Sequence, residues 1–137
     1  MRWLGKTVAT LGIGVFVLTS GPLELAAKTH YSREVSSGVS KRVAALHSWK
    51  LKDCSFDPPS ISIVKKPAFG KLTTKVVHGI TVKQGADGST KCAGRKLPAL
   101  GVYYRSKPGY KGTDLIMLRL KHKSGRSAIF SYSIRVR

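Results

Sequence analysis

Acidic residues are scarce: six Asp and Glu stand against 25 Lys and Arg in 137 residues, a formal charge of +19. Past residue 27 the acids are Glu34, Asp53, Asp57, Asp87 and Asp114, and no pair is placed as the two carboxylates of a glycoside hydrolase are expected to be. Cysteine is scarce too. Cys54 and Cys92 form no CxxC, and His30, His47, His78 and His122 are scattered without ligand spacing, which argues against a zinc site or a redox pair. No GxSxG occurs, and the Gly-rich stretch Gly85 to Thr90 lacks the strand-to-helix context of a phosphate loop. With these absences no enzyme is expected, and no catalytic residue, metal ligand or cofactor is assigned.

Long apolar runs are also missing, with one exception at the start. Arg2 and Lys6 precede an uncharged stretch, Thr7 to Ser20, whose apolar part Val8 to Leu18 has the length of a signal-peptide core and is short for a membrane span. Gly21-Pro22 breaks it, and Ala26-Ala27 offers small residues for cleavage before Lys28. Residues 1–27 therefore read as a signal peptide, an uncleaved anchor being the alternative, and the location as periplasmic or secreted. In that oxidising setting Cys54 and Cys92 are expected to be bridged, at a gain of roughly 3–4 kcal/mol from loop closure.

Removing residues 1–27 leaves 23 basic and five acidic residues, net +18. Such an imbalance attracts polyanions: nucleic acid, anionic lipid or lipopolysaccharide, acidic glycan, or an acidic protein. Export disfavours nucleic acid and leaves a membrane surface among the candidates. The 42% hydrophobic content separates the chain from a disordered basic tail.

Residues 28–50 read as a basic, polar lead-in. Within it Val39, Val43 and Leu46 recur at near-helical spacing, whereas His47, Trp49 and Leu51 alternate as a strand would, and both readings stay open. After Pro58-Pro59 the punctuation is that of a β protein. Strands are expected at Ile61–Lys65, at Lys71–Val77 with a bulge or turn at His78-Gly79 before Ile80–Val82, and at Val102–Arg105, with Gln84 to Ser89 as a loop. Residues 51–137 form the expected folded domain.

The last two strands carry the clearest pattern. Ala128, Phe130, Tyr132, Ile134 and Val136 are even-numbered, as are Ile116, Leu118 and Leu120. Burying both sets on one face of an antiparallel pair requires Leu118 opposite Phe130. An odd-length loop, Lys123-Ser124-Gly125, with Gly125 left-handed, gives that register, whereas a two-residue turn would place Arg119 opposite Phe130. The register puts Arg119, Lys121 and Arg135 on the outward face beside Leu115, Met117 and Ile129.

The stretch Gly101-Val102-Tyr103-Tyr104-Arg105-Ser106-Lys107-Pro108-Gly109-Tyr110-Lys111-Gly112-Thr113-Asp114-Leu115 resembles the signature G-x-v-x-Y-x-P-x-x-G-[FY]-x-G-x-D-x-[FI] of bacterial Ig-like and cadherin-like repeat domains. Upstream, Pro67-Ala68-Phe69-Gly70-Lys71-Leu72 is similar to the P-x-x-G-x-[LV] hairpin that opens those domains. The resemblance implies an all-β, antiparallel Ig-like β-sandwich after the signal peptide, present as a single copy as in small exported bacterial proteins. It implies structural roles for Pro67, Gly70 and Tyr104. Pro108, Gly109 and Gly112 make a strand-to-strand crossing, Tyr110 packs as a plug beneath it, and Asp114 hydrogen-bonds loop amides. The chain departs from the pattern at Arg105-Ser106-Lys107, where a Pro is usual, and it lacks the acidic clusters that hold calcium between cadherin-like repeats.

The functional expectation is a non-enzymatic binding module for anionic envelope or extracellular ligands, lipopolysaccharide or acidic glycan. Its basic surface draws on Arg95, Lys96, Arg105, Lys107, Lys111, Arg119, Lys121 and Arg135. Loops from alternate connections of a sandwich share an end, which would join Arg95-Lys96 to Lys107 and Lys111. The alternative is a structural protein of the envelope that docks one acidic protein partner.

Overall fold

The structure, a computed structural model, describes residues 29–50, 52–83 and 90–137. The signal peptide read at 1–27 and the loop at 84–89 lie outside the described residues. Seven strands form: β1 Thr29–Val35, β2 Lys41–Leu46, β3 Ser60–Lys65, β4 Gly70–Thr81, β5 Lys96–Ser106, β6 Gly112–Lys121 and β7 Ser127–Val136. They make two sheets, ordered β1-β7-β6-β3 and β2-β5-β4, in a sandwich-like all-β arrangement with no helix among the described residues.

The core lies between the sheets. Ile116, Leu118, Leu120, Tyr132, Ile134 and Val136 come from one, and Val43, Ala44, Leu46, Val102 and Tyr104 from the other. Each fully buried aliphatic side chain here contributes about 1.5–3 kcal/mol. The terminal hairpin has the expected register: Leu118 faces Phe130 and Arg119 faces Ile129. His122 and Arg126 close its loop through a backbone bond of 2.8 Å, and Gly125 takes φ +90°, where a side chain would be strained. The bulge expected at His78-Gly79 is also present, as a register shift between Val77 and Ile80.

Three expectations change. The lead-in at 28–50 contains β1 and β2, and Lys41–Leu46 is strand rather than helix. A bulge between Arg42 and Ala44 brings Val43, Ala44 and Leu46 inward together, which breaks alternation and imitates helical spacing. The sandwich is not wholly antiparallel, since β1 runs parallel to β7 with Tyr31 beside Tyr132. The turn after β1 carries the chain to the other sheet, so β1 does not pair with β2 and instead covers the open backbone edge of β7. Finally, the Pro67 to Gly70 segment is no hairpin: β3 and β4 belong to different sheets, and 66–69 crosses between them.

Two ends result. At the crossing end the segments 36–40, 66–69 and 107–111 each pass from one sheet to the other. At the disulfide end lie the β6–β7 loop, the described residues 47–50, 52–59, 82–83 and 90–95, and the Cys54–Cys92 bond, with Cα atoms 5.7 Å apart.

Candidate functional site

At the crossing end, Asp114 is 3% exposed and its carboxylate is fully engaged. Oδ1 accepts from the amides of Ala68 (2.9 Å) and Leu115 (3.0 Å), and Oδ2 accepts from the Phe69 amide and the Tyr104 hydroxyl, both at 2.9 Å. Burial, that hydrogen bond and the carboxylate's charge all push the Tyr104 hydroxyl above its ordinary value of 10. Gly70 must be glycine here, because a Cβ would lie 2.5 Å from the Tyr104 ring and 2.7 Å from the Arg105 carbonyl oxygen. Tyr110 stacks on Phe69 at 4.3 Å between centroids and donates to the Thr113 carbonyl at 3.1 Å. The motif residues thus hold the two sheet crossings together.

At the disulfide end, Ser48 Oγ and His122 Nδ1 lie 2.7 Å apart. That is the distance of a nucleophile and its base, but Ser48 is 3% exposed, and the bond ties the chain after β2 to the β6–β7 loop. Lys123 and Asp57 form an ion pair at 2.7 Å across the same junction. Among the described residues no group of three or more His, Cys, Asp and Glu gathers that could hold a metal ion.

The basic residues divide. β5 is continuous from Lys96 to Ser106, so Arg95 and Lys96 stand about 30 Å from Lys107 and Lys111, at the opposite end rather than in one shared basic end. Arg105 faces Lys71 on the outer side of the β2-β5-β4 sheet and donates from Nε to the Gly38 carbonyl at 2.7 Å. Arg135 shares the outward face of β6 and β7 with Arg119 but lies about 20 Å along it, within 4.0 Å of Glu34. Of the eight, Arg119 and Lys121 sit in a depression.

That depression is a groove of about 820 Å³ on the outer face of β3, β6 and β7. Two cross-strand rows build it. Ser62, Arg119 and Ile129 are neighbours in one, and Ser60, Lys121 and Ser127 in the next. Directly opposed residues have Cβ atoms about 5 Å apart, so two cations and three hydroxyls share one patch, and none of the lining residues is acidic. The hydroxyls were missed in the sequence, although Ser60-Ile61-Ser62-Ile63 alternates plainly: only the pairing of β3 with β6 brings its polar side to the cations.

The outward face of β5 carries Tyr103, with Lys75 Nζ 4.5 Å from its ring centroid. Of the three tyrosines flanked by cations in sequence, Tyr104 is core, Tyr110 is the half-buried plug and Tyr103 lies half-exposed on the sheet face. No known protein family, curated protein or solved structure matches this chain. The disulfide suggests an oxidising, extracytoplasmic location, and none of the described residues form a helix long and apolar enough to cross a membrane.

Proposed function

We propose that this chain is an exported, non-enzymatic binding module with an Ig-like β-sandwich that holds an acidic glycan, such as the sugar-phosphate region of lipopolysaccharide, in the groove at Arg119 and Lys121. The Ig-like reading is supported by the strand partition. Lettered A to G in order, the sheets are A-G-F-C and B-E-D, an Ig-type division with the first strand lying beside the last. The signal peptide at 1–27 and the disulfide agree with a periplasmic or secreted location.

The observation that carries the ligand class is the make-up of the groove. Arg119 offers a planar fork and Lys121 a compact charge, both suited to sulfate, phosphate or carboxylate. Three serine hydroxyls beside them can donate to or accept from sugar hydroxyls, and Ile129 supplies an apolar floor. The long-range field of a chain that is +18 without residues 1–27 raises the encounter rate with any polyanion, while the groove supplies the local fit.

The test is retention of the protein on immobilised heparin and on lipopolysaccharide across a salt series. Affinity should fall steeply with salt, and Arg119→Gln with Lys121→Gln should weaken it roughly tenfold or more. Lys96→Gln, outside the groove, should change it little. Equal binding by the groove variant would refute the assignment. Recovery of a stoichiometric complex with one acidic protein, indifferent to heparin, would favour the structural alternative.

A further inference from the structure

The crossing end has features that the groove does not explain. Three turns meet there: the Lys107 amide donates to the Phe69 carbonyl at 2.8 Å, and the Gly38 amide donates to Ser106 Oγ at 2.9 Å. Two of the large apolar side chains most exposed among the described residues project from these turns, Phe69 at 41% and Val39 at 54%. Phe69 is held rather than loose, since Asp114 fixes its amide from below and Tyr110 clamps its ring.

Around them the charge has one sign. Lys66, Lys107 and Lys111 are exposed on the same turns and make no ion pair among the described residues, and Arg105 and Lys41 stand close by. The exposed acid of this end, Glu34, is already matched by Arg137 at 2.6 Å and Arg135 at 4.0 Å.

What these turns offer outward decides the kind of partner. Several of their hydrogen-bonding groups are already engaged within the end: the amides of Ala68 and Phe69 with Asp114, that of Tyr110 with the Lys107 carbonyl, that of Val39 with the Ser36 carbonyl, and the Tyr110 hydroxyl with the Thr113 carbonyl. A glycan or peptide is gripped by directed donors and acceptors. This end presents apolar tips and mobile positive charge, which match the acyl boundary and the phosphates of an anionic leaflet. Lysine stems can lie along the apolar residues while their ammonium groups reach the headgroups.

We propose that the crossing end is a membrane-docking tip that seats Phe69 and Val39 into the surface of an anionic phospholipid bilayer, with Lys66, Lys107 and Lys111 on the lipid phosphates. This shares the extracytoplasmic placement of the proposed function but uses none of its groove. The two surfaces are separated by the length of β6.

The experiment places an indole at chosen positions in the chain from Lys28 onward, the form that the proposed export leaves, and reads its emission against the parent, which carries Trp49 in both cases. Phe69→Trp and, separately, Val39→Trp are mixed with vesicles of phosphatidylcholine containing about one-third phosphatidylglycerol, with and without bromine on the acyl chains. The added emission should shift to the blue and be quenched by brominated lipid, as expected for insertion of about 5–10 Å. Val76→Trp, exposed in mid-strand on β4, should stay unquenched. Replacing Lys66, Lys107 and Lys111 by Gln in the Phe69→Trp chain should raise the lipid concentration needed by roughly tenfold to a hundredfold. The groove variant should leave quenching intact, which keeps this test separate from the heparin one. Emission at 69 and 39 that stays in water, or quenching at 76 equal to that at 69, overturns the proposal.

Discussion

The two ends of the sandwich are closed by different means. At the crossing end, the connections 36–40, 66–69 and 107–111 are short, and one buried carboxylate ties 66–69 to β5 and β6 without a covalent link. At the other end, the segments 47–59 and 82–95 are long and are joined by Cys54–Cys92. The difference follows from chain entropy. Short connections lose little freedom on closing, so a few charge-assisted hydrogen bonds hold them. Long ones lose more, and a cross-link removes much of that loss from the unfolded chain. Cys54 itself adopts φ +59°, an unfavourable backbone that the bridge helps to retain.

The comparison is broken most directly at Asp114. Asp114→Ala deprives the Ala68 and Phe69 amides and the Tyr104 hydroxyl of a charged acceptor, and it should cost about 5 kcal/mol in denaturant unfolding, enough to threaten folding of so small a domain. Asp114→Asn keeps one acceptor oxygen and should lose about half as much. A loss below about 1 kcal/mol for the alanine would mean that this end is held by packing alone. Next comes the disulfide. With the cysteines 38 positions apart, Cys54→Ala with Cys92→Ala should cost about 4 kcal/mol by loop-closure entropy. Hydrogen exchange should then rise first in the segments after β2 and before β5, leaving β6 and β7 protected.

How much of this was legible in the sequence depends on how local the signal is. The β6–β7 register could be read because the even-numbered positions 116–120 and 128–136 are all apolar, and a one-residue slip would have buried Arg119. Asp114, Tyr110 and Gly70 could be read through the motif that contains them. β1 was not readable, because one of its inward residues is charged: Arg33 lies over the rings of Tyr31 and Tyr132, at 5.2 and 5.7 Å, and donates to the Val43 carbonyl. Pattern reading assigns a guanidinium to solvent, whereas here aromatic faces accept it. The start of β5 was missed because Lys96 to Gly101 contains Pro98 and Gly101, residues that argue against strand in isolation. The groove needed long-range pairing, which no window of the sequence contains.

A third prediction separates the ends by alkali. The Tyr104 hydroxyl is pushed up by burial and by Asp114, so the unfolded chain loses that proton first as pH rises past 10, and stability falls from there. Tyr132, raised to about 12 by burial and by Tyr31, with Arg33 acting the other way, adds to the same loss from the core. Tyr104→Phe should cost about 2 kcal/mol at neutral pH, because it removes one hydrogen bond to a charged group. It should also flatten the alkaline fall by the Tyr104 share and leave that of Tyr132. An alkaline limb identical to the parent's would detach Tyr104 from the crossing end's stability.

The smallest effect belongs to acid and to the disulfide end. His47 follows β2, its Nδ1 is buried without a partner, and burial lowers its pKa from 6.5 against a weaker opposing hydrogen bond with the Pro98 backbone. The folded chain therefore takes up this proton at lower pH than the unfolded chain does. Stability holds above 6.5 and declines as pH falls from there toward the lowered folded value, below which both states are protonated and the loss is complete. Unfolding midpoints measured from neutral pH down through this window should drift downward in the parent and less in His47→Gln. If the cross-link governs this end as argued, the drift should narrow once Cys54 and Cys92 are replaced, because local opening then lets the imidazole take up its proton without global unfolding and brings its folded value nearer the unfolded one. An unchanged drift would show that the histidine and the bridge hold separate parts of the end.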